Sequence, residues 1–188
     1  MSQQTPELDL QLWLDQEIIP RQNRLKSQFW ELLSRCANTV PSENLLRIHS
    51  KSGGSKLSRG NDLLGFPYQV LDLIRDFDPE SGLNIRVLNW FGHGLYLFIL
   101  IGKKHVLATE RDFQDHEFCF CTTKSAWNYP EIILDEKYNP NPGQEEIAKS
   151  KLIQWFKPIQ LTANTSSIEQ KISLELKDTL TFIRKCVG

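Results

Sequence analysis

NIRVLNWFGHGLYLFILI, residues 84–101, decides the fold of this chain. Its first half alternates, with Ile85 and Val87 on one side and Arg86, Leu88 and Trp90 on the other. That period of two belongs to a β-strand with two different faces. Gly92-His93-Gly94 follows, and glycine supplies the positive-φ positions of a tight reversal. The return, residues 95–101, is apolar throughout, so it belongs in the middle of a sheet with both faces covered. It is far shorter than the roughly 20 residues a membrane-spanning helix needs.

Outward from this hairpin the patterns turn helical. Leu25, Phe29, Leu32, Leu33, Cys36 and Val40 form one apolar stripe at helical offsets, with Arg24, Lys26, Ser27, Glu31 and Arg35 beside it. Before it, Thr5-Pro6 carries a helix-start signal and Leu8, Leu10, Leu12, Trp13 and Leu14 follow. Pro20 is expected to end or kink that first helix near Ile19. At the far end, Ile168, Ile172, Leu176, Leu180, Ile183 and Val187 form a second stripe, and Ser166-Ser167-Ile168-Glu169 fits a capping box. Residues 116–122 read as a strand with Phe118 and Phe120 opposite Cys119 and Cys121, and 152–156 as another limited by Pro158. Residues 44–49 are too short to assign. Residues 51–61, with Gly53, Gly54, Gly60 and three serines, read as a loop, as do 124–143, pinned by Trp127, Tyr129, Ile132 and Ile133. Residues 68–77 fit either a helix after Pro67 or a strand.

The expected architecture is therefore α+β in a single domain, 1–188. Residues 6–40 are helical, 44–161 carry an antiparallel sheet of about four to six strands, and 166–187 form a C-terminal helix packed with the N-terminal helices on one face.

Charge narrows the function classes. Lys and Arg number 22 against 23 Asp and Glu. Phosphate neutralisation supplies much of a duplex binder's affinity, so nucleic acid is a disfavoured partner. Residues 1–10 hold no basic segment and no continuous apolar run, so neither a secretory signal nor a membrane anchor is expected there. Four scattered cysteines in a chain of 188 residues suit reduced thiols and a cytoplasmic protein.

The candidate chemistry is sparse. Gly53-Gly54-Ser55-Lys56 through Ser58-Arg59-Gly60 offers backbone N–H groups and cations for an anion nest, although it lacks the Walker pattern. Cys119-x-Cys121 with His116 would place both thiols on one strand face and the histidine on the other. Tetrahedral zinc needs a converging set, so neither a metal nor a cofactor is assigned. Asp72, Asp76 and Asp78, with Arg75 among them, read as a surface charge cluster, and no G-x-S-x-G is present. His93, between glycines and beside Trp90-Phe91, sits where a ligand can approach closely.

Lys56-Leu57-Ser58-Arg59-Gly60, then Gly65-Phe66-Pro67-Tyr68 and Val70-Leu71-Asp72, resembles the signature of an uncharacterised bacterial protein family. The likeness extends to about Ile101 through the hairpin that carries Trp90. It departs from that pattern at Asn61-Asp62-Leu63, where Glu-Asn-Tyr is usual, and at Leu73-Ile74-Arg75, where Tyr-Pro-Arg is usual. A proline in place of Ile74 suits an extended chain, so the resemblance favours a strand over 68–75. It implies no activity. It marks Arg59, Tyr68, Asp72, Arg75 and Trp90 as the polar and aromatic positions within the signature.

Two functions are consistent with these observations. One is a non-enzymatic binding or interaction domain of unidentified partner, of which a homo-oligomer is one form. The other is an enzyme, acting for example on a phosphate-bearing small molecule, whose site would form where Arg59, Asp72, Arg75 and His93 converge. Lys56, Arg59, Tyr68, Asp72, Arg75, Trp90 and His93 are the candidate ligand-binding residues for either.

Overall fold

The structure, a computed structural model, describes residues 7–110 and 112–188; the helix-start pair Thr5-Pro6 lies outside them. Helices α1 (Leu10–Leu14), α2 (Ile18–Asn38) and α3 (Ser42–Ile48) come first. A meander of β1 (Lys56–Leu63), β2 (Phe66–Arg75), β3 (Leu83–Trp90) and β4 (Gly94–Ile101) follows. After a 3-10 turn, β5 (Cys119–Cys121), α4 (Tyr129–Ile133), β6 (Tyr138–Asn139) and α5 (Gln144–Lys149) lead to β7 (Ile153–Ile159) and α6 (Thr165–Val187). Among the described residues the strands form one antiparallel sheet in the order β1-β2-β3-β4-β7-β5-β6. No helix among them is long and apolar enough to cross a membrane.

Alternation divides the core into two. On one face Ile85, Val87, Leu95, Leu97, Ile99 and Trp155 pack with Leu32, Leu33 and Cys36 of α2, Leu45 and Ile48 of α3, and the stripe of α6. On the other face Val70, Leu88, Trp90, Phe98 and Phe156 are covered by Trp127, Tyr129 and Ile132 around α4. β4 lies between β3 and β7 with both faces covered, as its apolar run demands.

Seven strands stand where four to six were expected. One addition is β1, in the stretch read as a glycine-serine loop; the other is β6, two residues in a segment read as loop. β1 is an edge strand of exposed and half-buried residues, and its order comes from β2, not from an apolar pattern of its own. Leu64 (φ 53°) and Gly65 (φ 82°) close the β1–β2 hairpin as a two-residue turn between Leu63 and Phe66. A turn with positive φ at both central residues normally draws Asn-Gly, and the leucine hides it. The exposed Leu64 is strained there, so Leu64→Asn or Leu64→Gly is expected to stabilise the chain by about 0.5–1 kcal/mol. The check is a rise in the urea midpoint with an unchanged slope; a fall would contradict the turn.

Other local readings are corrected. Pro20 does not end a helix but occupies the first turn of α2, where its missing N–H costs nothing. Residues 44–49 lie mostly in α3. The N-cap of α6 is Asn164, whose Oδ1 accepts from the Ser167 N–H at 3.0 Å, and no Ser166–Glu169 capping box forms. Glu169 instead accepts from Arg35 Nε at 2.9 Å and ties α6 to α2. β7 continues through Pro158 because β5 pairs no further than Phe156, so a missing N–H there breaks no ladder with β5.

Candidate functional site

Residues 56–75 form the β1–β2 hairpin, and strand alternation sends its marked side chains to opposite faces. Gly60 pairs with Tyr68, whose ring occupies the space a Cβ at Gly60 would fill. Tyr68 in turn pairs with Trp90. Trp90 is fully buried and donates its indole N–H to Leu63 O at 3.2 Å. His93 lies on the Trp90 ring at 3.8 Å between centroids, with Phe66 edge-on at 4.8 Å. Gly92 (φ +84°) makes room for Phe66, which a Cβ would meet at 2.9 Å. Tyr68, Trp90 and His93 thus gather at the hairpin tip as an aromatic lock.

Asp72 is not part of a surface charge cluster. It is buried on the second face, where Arg86 grips it as a fork: Nε donates to Oδ1 at 2.6 Å and Nη2 to Oδ2 at 3.0 Å. Asn84 Nδ2 adds a third bond to Oδ1 at 2.9 Å. Arg86 Nη1 donates to Tyr129 Oη at 2.9 Å, and the guanidinium lies 3.9 Å from the Trp127 ring. Burial works against the Arg86 charge, but the bonds to Asp72 and Tyr129 outweigh it and raise its pKa. Burial also pushes the Tyr129 phenol up to about 12, against the pull of Arg86. Neither group exchanges a proton near neutrality. The network fastens the α4 segment to the sheet. Asp76, by contrast, pairs with His49 Nε2 at 2.7 Å, and Asp78 caps the turn before β3.

The glycine-serine loop does not form an open nest. Gly53 N donates to Arg75 O at 2.9 Å, and Arg75 Nη2 returns a bond to Gly53 O at 2.8 Å. Ser52 Oγ accepts from the N–H groups of Gly54 and Arg75. The Gly53 N–H is thereby spent on the end of β2, and the Gly54 N–H on the loop's own Ser52. Lys56 begins β1 opposite Asp72 and is exposed. Cys119 and Cys121 pack in the second-face cluster while the His116 ring lies against Phe182 on the other side.

Arg59 faces the helices, and its surroundings are concave. A groove of about 460 Å³ runs between α2 and the β1–β2 hairpin, lined by Asn23, Lys26, Trp30, Arg59, Asn61 and Phe91 among others. Two contacts hold α2 at that distance. Gln69 Nε2 donates to Lys26 O at 2.7 Å, and Phe29 meets Phe91 edge-on at 5.8 Å. The Arg59 guanidinium lies 5.4 Å over the Trp30 ring. Glu31 is the carboxylate in the lining, and neither Arg59 nor Lys26 forms an ion pair among the described residues.

Arg59, Asp72, Arg75 and His93 therefore make no hydrogen bond with one another among the described residues; each has partners of its own. A shared acid–base site at these four is not formed. Sequence reading passed over Arg86, Tyr129, Lys26 and Trp30 as site residues. Arg86 left a usable signal: a charge inside an apolar central strand requires a buried partner, and Asp72 stands in the neighbouring apolar run. Lys26 and Trp30 left none, because only α2's seating on the hairpin brings them to Arg59. No protein-family model, curated protein or solved structure matches the chain.

Proposed function

We propose that the chain is a non-enzymatic binding domain of a bacterial cytoplasm, with the groove between α2 and the β1–β2 hairpin as its ligand surface. The observation that carries this reading is Arg59 lying over Trp30 with Lys26 in the same lining, two cations without ion pairs among the described residues. An arginine on an aromatic face keeps its donor edge free for an anion. The ligand class that fits is an anionic group attached to a flat ring, with Asn23 and Asn61 as further polar contacts. The other marked side chains support a binding role, because Asp72 and Arg75 are engaged in holding the fold. Four free thiols suit a reducing compartment.

The test is a titration of the full chain with adenosine monophosphate, and separately with inorganic phosphate, following amide and indole N–H shifts. Saturable shifts are expected at the Trp30 indole and at residues 59–61, larger for the nucleotide. Arg59→Ala is expected to weaken binding roughly tenfold. Shifts absent from these positions, or indifferent to Arg59→Ala, would sink the proposal.

A further inference from the structure

The first helical segment of this chain buries no residue against the rest of the described residues. Leu8 is 84 % exposed, Trp13 78 % and Leu14 65 %, and α1 has no buried residue. The apolar stripe of α2 also begins outside the core, with Ile19 and Leu25 exposed. This arm is acidic as well as apolar. Glu7, Asp9, Asp15 and Glu17 lie within it, and the first Lys or Arg of the chain is Arg21. Asp9 and Asp15 use one oxygen each to cap α1 and the start of α2, which leaves their charges in place.

A surface of the opposite character lies at the other end of α2. A groove of about 370 Å³ between the α2–α3 corner and α6 has Val40, Ile48 and Leu180 as apolar lining and Arg47, Lys177 and Arg184 as charged lining. No carboxylate lines it, and those three cations form no ion pair among the described residues. Glu43 and Asp178 stand on the same helices, outside the lining.

We infer that the arm of one copy docks in this groove of a second copy, giving a reciprocal dimer with the two α2 helices antiparallel. Charge and apolar character match, and distance selects the second copy over the same one. Trp13 is five residues before α2, so it reaches at most about 18 Å from the start of that helix. α2 has 21 residues and is about 30 Å long, and the groove begins just past its last turn. Trp13 cannot return to its own groove, whereas a twofold axis across α2 brings each arm to its partner's groove. This surface is separate from the Arg59 groove, so either proposal can fail alone.

Sedimentation of the full chain over a range of concentrations tests the inference. A monomer–dimer equilibrium is expected. Leu12→Asp with Trp13→Asp, and separately Lys177→Glu with Arg184→Glu, should each raise the dimer Kd at least about tenfold. All four positions are exposed, so the melting of the monomers should be unchanged. A chain carrying Glu7→Lys and Glu17→Lys should dimerise poorly alone. Mixed with the Lys177→Glu, Arg184→Glu chain it should form a heterodimer, since one arm–groove pair is then native and the other has its charges exchanged. A chain that stays monomeric at several hundred micromolar overturns the inference. So does a dimer indifferent to either pair of substitutions, or a mixture that does not associate.

Discussion

Asp72→Ala is expected to lower the unfolding free energy by about 3–5 kcal/mol, because it leaves the Arg86 guanidinium buried without its counter-charge. The side chains of Arg86 and Asp72 are only 13 % and 6 % exposed, so water cannot replace the lost carboxylate. Asn84 would lose an acceptor as well. The pair itself is a different matter. Its attraction is offset by the cost of taking two charges out of water, so Asp72→Leu with Arg86→Met should recover most of the loss. Urea unfolding of the two variants checks this. A loss below about 1 kcal/mol for Asp72→Ala would show that solvent or another acidic group reaches Arg86.

Trp155→Ala is expected to cost a similar 3–5 kcal/mol for an unrelated reason, the cavity left in the helix-side core. Trp155 is fully buried in β7, stacked on Phe113 at 5.1 Å and 22°, with Phe120 edge-on at 5.1 Å. Phe113 also meets Phe182 of α6, so the indole is the sheet's side of the contact that seats the last helix. Its Nε1 has no hydrogen-bond partner among the described residues. Trp155→Phe therefore removes a buried donor along with some volume and should cost no more than about 1.5 kcal/mol. Thermal unfolding of the two variants separates the effects. Equal losses would mean that the indole N–H, not the ring volume, is what the site requires.

The fold was legible wherever a segment carried its own period. The stripes from Leu32 to Cys36 and from Ile168 to Ile183 are buried as a 3.6-residue repeat demands. The alternation from Ile85 to Trp90, with the apolar return after Gly94, forms the centre of the sheet. Where a segment's order is supplied by a neighbour, sequence reading failed. β1 has no apolar alternation and exists because β2 offers it hydrogen bonds. Pro20 was misread because a proline that breaks a helix interior is harmless in its first turn, and only the position of the start at Ile18 tells the two apart. Ser166-Ser167-Ile168-Glu169 has the form of a capping box, but Arg35 on another helix claims the glutamate.

The candidate site divides along the same line. Sequence alone determined that Trp90 ends a strand and that His93 sits in the glycine-flanked turn after it, because alternation and turn chemistry are local, while periodicity leaves Tyr68 and Asp72 between strand and helix. Tertiary structure alone decided what those residues do. Asp72 meets Arg86 across the β2–β3 ladder, and Arg59 meets Trp30 because Gln69 holds the backbone of α2. Periodicity fixes which face a side chain takes; which partner waits on that face depends on how distant segments pack, and no local period encodes it.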